Sequence, residues 1–151
     1  MKSIDIKGTA RTETGKKAAR NIRKTGAVPC NLYGEAKGEN GLPVAKSFTV
    51  TQDELRKLVY TPDIYSVNLT IDGQECKAIM KELQFHPVTD QLLHVDFYEI
   101  TETKPIIMEV PIKLNGLAEG VKAGGKLAAG VRKLKVRAVY TAIPEKLDID
   151  V

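Results

Sequence analysis

Apolar and polar residues alternate along several short segments of the chain, which is the pattern of half-buried β-strands. The segment 81–90 has no clear period and predicts an irregular connection. Strands are predicted to run from Ile4 towards Arg11, over 28–34 and 47–50, along both arms of a hairpin that turns at Asp72-Gly73, and over 92–100.

Two segments in the same part of the chain predict helices. The first spans about 16–25, with Gly26 as its C-terminal stop. The second spans 51–60, where Thr51 and Glu54 have the spacing of a capping box. We therefore expect a mainly β fold with a few helices.

A polar link at 99–104 separates this part from a second run of strand pattern. The later segments are divided by Asn115-Gly116, a glycine-rich stretch and a proline, and predict an all-β unit. We expect a first domain at 1–98, a linker at 99–104 and a second domain at 105–151. Because the alternation is still in progress at the last residue, we expect the second domain to be incomplete.

The composition is that of a soluble protein with a packed core. Of the 151 residues, 42% are hydrophobic, Trp is absent, and no long apolar run suggests a secretion signal or a membrane span. We expect a cytoplasmic protein. Cys30 and Cys76 lie far apart without other ligands at zinc-binding spacing, so we expect no metal and treat both as small apolar residues.

The positive charge is concentrated at one end of the chain. Residues 1–24 contain eight Lys/Arg against two Asp/Glu, while the rest of the chain is slightly acidic. This asymmetry indicates a polyanionic partner, above all nucleic acid, although a solvated surface helix would have the same charge. On the predicted helix, small apolar residues occupy one side and a basic stripe the other. The basic stripe consists of Lys16, Arg20, Arg23 and Lys24.

His94 and Asp96 are two positions apart on a predicted strand and therefore share one face, opposite Val95 and Phe97. One interpretation is a catalytic pair of a small hydrolase or transferase, but no Ser or Cys lies in a nucleophile motif. A second is a pair of surface residues. A third is RNA contact, in which Asp accepts and His donates hydrogen bonds.

The segment 120–126, GVKAGGK, matches the spacing of a phosphate-binding loop. Leu127 stands where that loop needs Ser or Thr, and no strand-to-helix pattern surrounds it. We interpret the match as chance and the glycines as turn residues.

Three blocks in the same order resemble one family: RTETGKKAARNIRKTGAVPCNLYG, LQFHPVTDQLLHVDF, and GVKAGGKLAAGVRKLKV followed by IPEKLDIDV. The chain resembles the bacterial large-subunit ribosomal protein number twenty-five family in its long two-domain form, the general stress protein CTC type. The resemblance implies an N-terminal six-stranded β-barrel that binds 5S rRNA, a C-terminal all-β domain, and neighbouring large-subunit ribosomal proteins as partners. It implies no enzyme, no cofactor and no small-molecule substrate.

The resemblance also implies which residues contact RNA. Five basic residues would neutralise phosphates, three others would recognise the shape of a helical, internally looped region from its minor-groove side, and Gln84 is a further candidate. Cys30 departs from the family, which often has Gly after this Pro. The loop 34–43 is expected to order on binding. The implied contacts are Arg11, Lys16, Lys17, Arg20, Arg23, Tyr33, His94 and Asp96.

Overall fold

The computed structural model describes residues 2–34, 45–61 and 63–151. It separates into two compact units, and each is treated by itself. The first unit covers 2–61 and 65–101, and the second includes 102–151. The domain bounds 1–98 and 105–151 remain a prediction. The expected ordering of loop 34–43 falls outside the described residues, apart from Gly34.

The first unit is a closed six-stranded barrel, as predicted. Two of its strand pairs are parallel, β1 with β4 and β2 with β6, and the other four are antiparallel. The order around the barrel is β1-β3-β2-β6-β5-β4, which leaves no free edge. The strands are β1 (Lys2–Ala10), β2 (Ala27–Tyr33), β3 (Lys46–Thr51), β4 (Tyr65–Ile71), β5 (Gln74–Phe85) and β6 (Leu92–Glu99).

Two helices belong to the barrel unit, α1 (Lys16–Lys24) and α2 (Gln52–Val59). Gly26 follows α1 with a φ of 79°, the left-handed conformation that commonly ends a helix, as predicted. The prediction of a capping box at α2 is wrong. Thr51 is the N-cap, but among the described residues its side chain makes no capping hydrogen bond. At the same end of α2, the N–H of Gln52 donates to the carbonyl of Gly26, 3.0 Å away.

The apolar residues at alternate positions of the strands fill the barrel interior. Phe48 of β3 and Phe97 of β6 are fully buried, with ring centroids 5.8 Å apart. Leu55 and Leu58 of α2 join the same cluster. Burying one such side chain contributes roughly 1.5–3 kcal/mol, so this cluster is the main source of the barrel's stability.

The hairpin between β4 and β5 turns at the predicted residues. Asp72 has a φ of 47° and Gly73 a φ of 85°, so both central residues of the turn have positive φ. This is the geometry of a type I′ turn, which matches the twist of the two strands. A local Asp-Gly signal was therefore enough to fix both the turn and the pairing of its strands.

The prediction of an irregular segment at 81–90 is wrong in its first half. Strand β5 continues to Phe85, with register shifts between Met80 and Glu82 and again between Gln84 and Phe85. These bulges break the alternation that a regular strand shows, which is why the pattern concealed the strand.

The true connection between β5 and β6 is the short loop that begins at His86. The imidazole Nδ1 of His86 accepts hydrogen bonds from the backbone N–H groups of Val88 and Thr89, each at 3.2 Å. The backbone of His86 also donates to the carbonyl of Gln91, at 2.8 Å. His86 is therefore a loop-closing residue.

The second unit is a three-stranded sheet in the order β8-β7-β9. The central strand β7 pairs antiparallel with β8 and parallel with β9. A short helix and the glycine-rich stretch link β7 to β8, and Gly124, with a φ of 94°, follows the helix rather than preceding it. The elements are β7 (Pro105–Asn115), α3 (Glu119–Lys122), β8 (Lys133–Val139), a 3-10 turn (Tyr140–Ala142) and β9 (Leu147–Asp150).

The helices in the described parts of the chain are all too short or too polar to cross a lipid bilayer.

Candidate nucleic-acid interface

Five polar residues lie side by side on the outer surface of the barrel. The strand register pairs Glu82 with Asp96, Asp96 with Asn31, and Asn31 with Ser47, across β5, β6, β2 and β3. The Ser47 hydroxyl donates to Asn31 Oδ1 at 3.0 Å, and the Ser47 carbonyl accepts the N–H of Arg11 at 2.9 Å. We call these five residues the polar row.

The alternation along β6 determines which side chains face outwards. Val95 and Phe97 are fully buried, so His94 and Asp96 share the outer face, as predicted. His94 Nδ1 lies 3.4 Å from Asp96 Oδ1, and the two side chains are 20% and 19% exposed. The exposed Gln84 of β5 pairs with His94 and extends the polar surface by one more residue.

Tyr33 lies two residues beyond Asn31 on β2 and faces the same way. Its ring meets that of Tyr98 edge to face, with centroids 5.8 Å apart. Partial burial raises the pKa of Tyr33 above its ordinary value of 10.0, and the negative charges of Asp96 and Glu82 raise it further. The phenol therefore stays protonated at neutral pH and acts as a hydrogen-bond donor beside the acidic end of the polar row.

Helix α1 packs its small apolar side against the barrel. Ala18 is buried and Ile22 is half-buried, while the basic stripe faces outwards. Arg23 differs from the rest of the stripe: it is half-buried, and its Nε donates to the carbonyl of Leu93 at 3.0 Å. Because Leu93 precedes His94 on β6, this bond attaches the basic helix beside the His94 strand.

The structure places Tyr33 and Gln84 on the strands next to that of His94 and Asp96, whereas Arg11 lies at the far end of the polar row, beside Ser47 of β3. The remaining predicted contacts are the exposed Lys16, Lys17 and Arg20 on α1. Among the described residues, no hydrogen bond or ion pair joins these three to the polar row, so Arg23 provides the link between the helix and β6.

Sequence reasoning missed Asn31, Ser47 and Glu82. Asn31 is a polar residue between the apolar Cys30 and Leu32, and this alternation could have placed it on the outer face. No local signal reveals that β2 lies between β3 and β6, so the neighbours of Asn31 were not predictable.

The two cysteines are free thiols inside the barrel unit. The pKa of Cys30 is raised from 9.0 to about 12, mainly because the thiol is buried and also because Asp96 is negatively charged, while a backbone hydrogen bond at Val95 opposes the shift. Within the described ranges, no three His, Cys, Asp or Glu side chains come together as metal ligands.

Two family models match the chain. The ribosomal L25p family model matches residues 6–97, and the model of the ribosomal protein TL5 C-terminal domain matches residues 105–151. The first model covers most of the barrel unit, including the polar row and α1.

Curated relatives extend the match to the whole chain. The large ribosomal subunit protein bL25 of Phocaeicola vulgatus is 64% identical over 151 residues, covering 100% of this chain and 76% of the relative. Its counterparts in Bacteroides thetaiotaomicron and Porphyromonas gingivalis are 58% and 55% identical, with the same 100% and 76% coverage. The chain therefore belongs to the ribosomal L25p family.

Proposed function

We propose that this protein is a structural component of the large ribosomal subunit and binds 5S rRNA through α1 and the polar row. One observation supports this most directly: the exposed basic stripe of α1 is attached by Arg23 beside the strand of His94 and Asp96. The relatives, which match the whole chain, are named as large ribosomal subunit proteins. A protein of this kind works in the cytoplasm, as part of the ribosome.

Affinity in this proposal comes mainly from phosphate neutralisation. Lys16, Lys17 and Arg20 are exposed on one helix, and Arg11 and Arg23 lie at the barrel surface. Although Arg23 Nε is bonded to Leu93, a guanidinium has further N–H groups that can face a phosphate. Five neutralised phosphates give a log–log salt slope of roughly −3.5 to −4.5.

Recognition in this proposal comes from the outer face of β2, β5 and β6. The minor groove of A-form RNA is wide and shallow and presents 2′-hydroxyls and base edges, which side chains on a sheet can reach. Tyr33 supplies a hydroxyl donor, Asp96 a carboxylate acceptor, and His94 and Gln84 groups that can do either. These are polar contacts to shape and base edges, and they add no positive charge.

An enzyme built on His94 and Asp96 was the main alternative. The contact of 3.4 Å between them would suit a base and its orienting acid. The relatives are named as ribosomal proteins, which are structural rather than catalytic, so we assign the pair to RNA recognition.

For the second unit we propose contact with neighbouring large-subunit ribosomal proteins. Large apolar side chains are exposed on it, among them Leu117 at 60% and Leu127 at 52%, and such side chains gain free energy when a partner removes them from water. Replacing both by Ser should reduce incorporation into purified large subunits while the affinity for free 5S rRNA stays unchanged. Full incorporation of this variant would contradict the proposal.

The salt dependence of binding tests the main proposal. The protein is titrated against labelled 5S rRNA at several salt concentrations, and fluorescence anisotropy gives the affinity at each. We expect a slope within the range given above. A slope near zero would exclude phosphate neutralisation by the basic stripe.

A further inference from the structure

Asn31 occupies the centre of the polar row. It lies on β2 between Asp96 of β6 and Ser47 of β3. Its chain neighbours Cys30 and Leu32 are buried in the barrel, so the Asn31 side chain lies on the outer face. Any ligand that contacts Asp96 and approaches this face also approaches Asn31.

The amide of Asn31 is held in one orientation. Ser47 Oγ donates to Asn31 Oδ1 at 3.0 Å, and among the described residues this is the side chain's one hydrogen bond. Because the amide is planar, Nδ2 forms its other end and is a donor with two N–H groups. Ser47 is therefore a positioning residue that fixes which end of the amide is available.

The charge around Asn31 disfavours a phosphate at this point. Asp96 is the direct neighbour of Asn31 on β6, and Glu82 pairs with Asp96 one strand further on, so two carboxylates lie on the same side of the amide. Carboxylates repel a phosphate and accept hydrogen bonds from amino or hydroxyl groups. A group that fits here offers a donor to Asp96 and an acceptor to Asn31.

We propose that Asn31 Nδ2 and the Asp96 carboxylate act together as a donor–acceptor pair that recognises adjacent donor and acceptor groups in the RNA minor groove. Two RNA groups have this chemistry: the guanine edge, with its N2 amino group beside N3, and the ribose 2′-hydroxyl. The inference rests on the proposed function and adds a recognition residue to the same site.

Asn31→Val tests the role of the amide, because Val is well accepted in strands and removes both hydrogen-bonding groups. Asn68→Val is the matched control: Asn68 lies on the outer face of β4 and donates to Asp5 Oδ1 at 2.7 Å, away from the polar row. We expect Asn31→Val to weaken binding to 5S rRNA roughly 3- to 10-fold, the size of one lost hydrogen bond, with an unchanged salt slope. The control should bind normally.

Ser47→Ala tests positioning. We expect a loss of roughly 2- to 3-fold in affinity, because the amide is no longer held in one orientation. The same substitution in the Asn31→Val background should have no further effect, whereas a general structural role of Ser47 would weaken both backgrounds equally. If circular dichroism shows that Asn31→Val does not fold, Asn31→Ala gives the same test, since it removes both hydrogen-bonding groups and adds no charge.

Modified RNA distinguishes the two sources of the donor. Inosine in place of single guanines removes the N2 amino group, and 2′-deoxy substitution removes the hydroxyl. One of the two should weaken binding by wild type, and that penalty should disappear in Asp96→Ala. The donor–acceptor pair is overturned if neither modification weakens binding in an Asp96-dependent way. It is also overturned if Asn31→Val binds as the wild type does while Arg20→Ala and Asp96→Ala bind weakly. In both cases the proposed function is retained. If all three variants bind normally, the proposed binding surface fails as well.

Discussion

The two units differ in how they bury their apolar residues. Of the large apolar side chains that are exposed in the described chain, seven of ten lie in 102–151, and the buried apolar residues of that range are only Ile106, Val110 and Ile143. Nearly all the other buried apolar residues belong to the barrel unit, including Phe48 and Phe97. A closed barrel buries one face of every strand, whereas a sheet of three strands has edges and an uncovered face.

This difference explains why a recognition surface can form on the barrel. Its outer face is not needed for the core, so Asn31 and Asp96 can be polar without loss of packing. The exposed residues of the second unit include several large apolar side chains, and protein contact is the surface function that fits these.

Each unit also carries a set of exposed basic residues on one element. Lys16, Lys17 and Arg20 lie on α1, and Lys133, Lys135 and Arg137 lie on one face of β8. Lys135 pairs with Glu109 across the sheet, and β8 has no polar row beside it. Both units thus carry exposed positive charge, but only the barrel unit combines it with the polar row.

The largest expected effect tests the difference in burial. Phe97→Ala should destabilise the protein by about 3–5 kcal/mol, because it leaves a cavity against Phe48 in the barrel. Leu127→Ala in the second unit should change stability by less than about 0.5 kcal/mol, since Leu127 is exposed. Urea denaturation followed by circular dichroism measures both. Equal losses would contradict the contrast between the units.

The next prediction compares these two sets of basic residues. Replacing Lys16, Lys17 and Arg20 by Ala should make the salt slope of 5S rRNA binding less negative by roughly 2 to 3, since three phosphate contacts are lost. Replacing Lys133, Lys135 and Arg137 should leave the slope unchanged. Anisotropy titrations at several salt concentrations give both slopes, and a matching change in the two variants would show that net charge alone governs binding.

A smaller effect distinguishes two arginines of the same helix. Arg23→Ala should cost about 1 kcal/mol of stability, because it removes a half-buried hydrogen bond to Leu93. Arg20→Ala should change stability by less than about 0.5 kcal/mol, since Arg20 is exposed. Thermal or urea unfolding of both variants, at one pH and salt concentration, makes the comparison. A loss in Arg20→Ala as large as in Arg23→Ala would remove the special role of Arg23.

The last prediction concerns the two thiols of the barrel unit, which affect stability at alkaline pH and have the smallest effect near neutral pH. Because the pKa of Cys30 is raised from 9.0 to about 12, folding favours its neutral form, and the associated stability is complete below pH 9 and lost as the pH rises towards 12. Cys30→Ala should therefore lose less stability over this range than wild type does. Cys76, which is only partly buried, has its pKa raised as well, and Cys76→Ala is the control with the weaker effect. Parallel alkaline stability curves for wild type and Cys30→Ala would contradict this.

Much of the barrel was predictable because its signals are local. The turn at Asp72-Gly73, the end of α1 at Gly26 and the outward direction of His94 and Asp96 each follow from a few adjacent residues. The second half of β5 was missed because its bulges break the alternation.

The site was less predictable, since it depends on pairing between distant segments. Asn31 and Ser47 meet only because β2 pairs with β3, and Arg23 reaches a carbonyl 70 residues further along the chain. The start of α2 shows the same dependence, because the N–H of Gln52 donates to the carbonyl of Gly26 from another segment. The local alternation of residues predicts which side chains share a face of a strand. The order of the strands then determines which of these side chains become neighbours.

The most direct test of the central claim is the selectivity of RNA binding. The protein is titrated at moderate salt against 5S rRNA and against an unrelated RNA hairpin of similar charge, together with Arg20→Ala and Asp96→Ala. We expect tight binding to 5S rRNA alone, weakened by both substitutions. Equal and weak binding to the two RNAs, unaffected by Asp96→Ala, would show that the basic helix attracts any RNA and that the polar row recognises none.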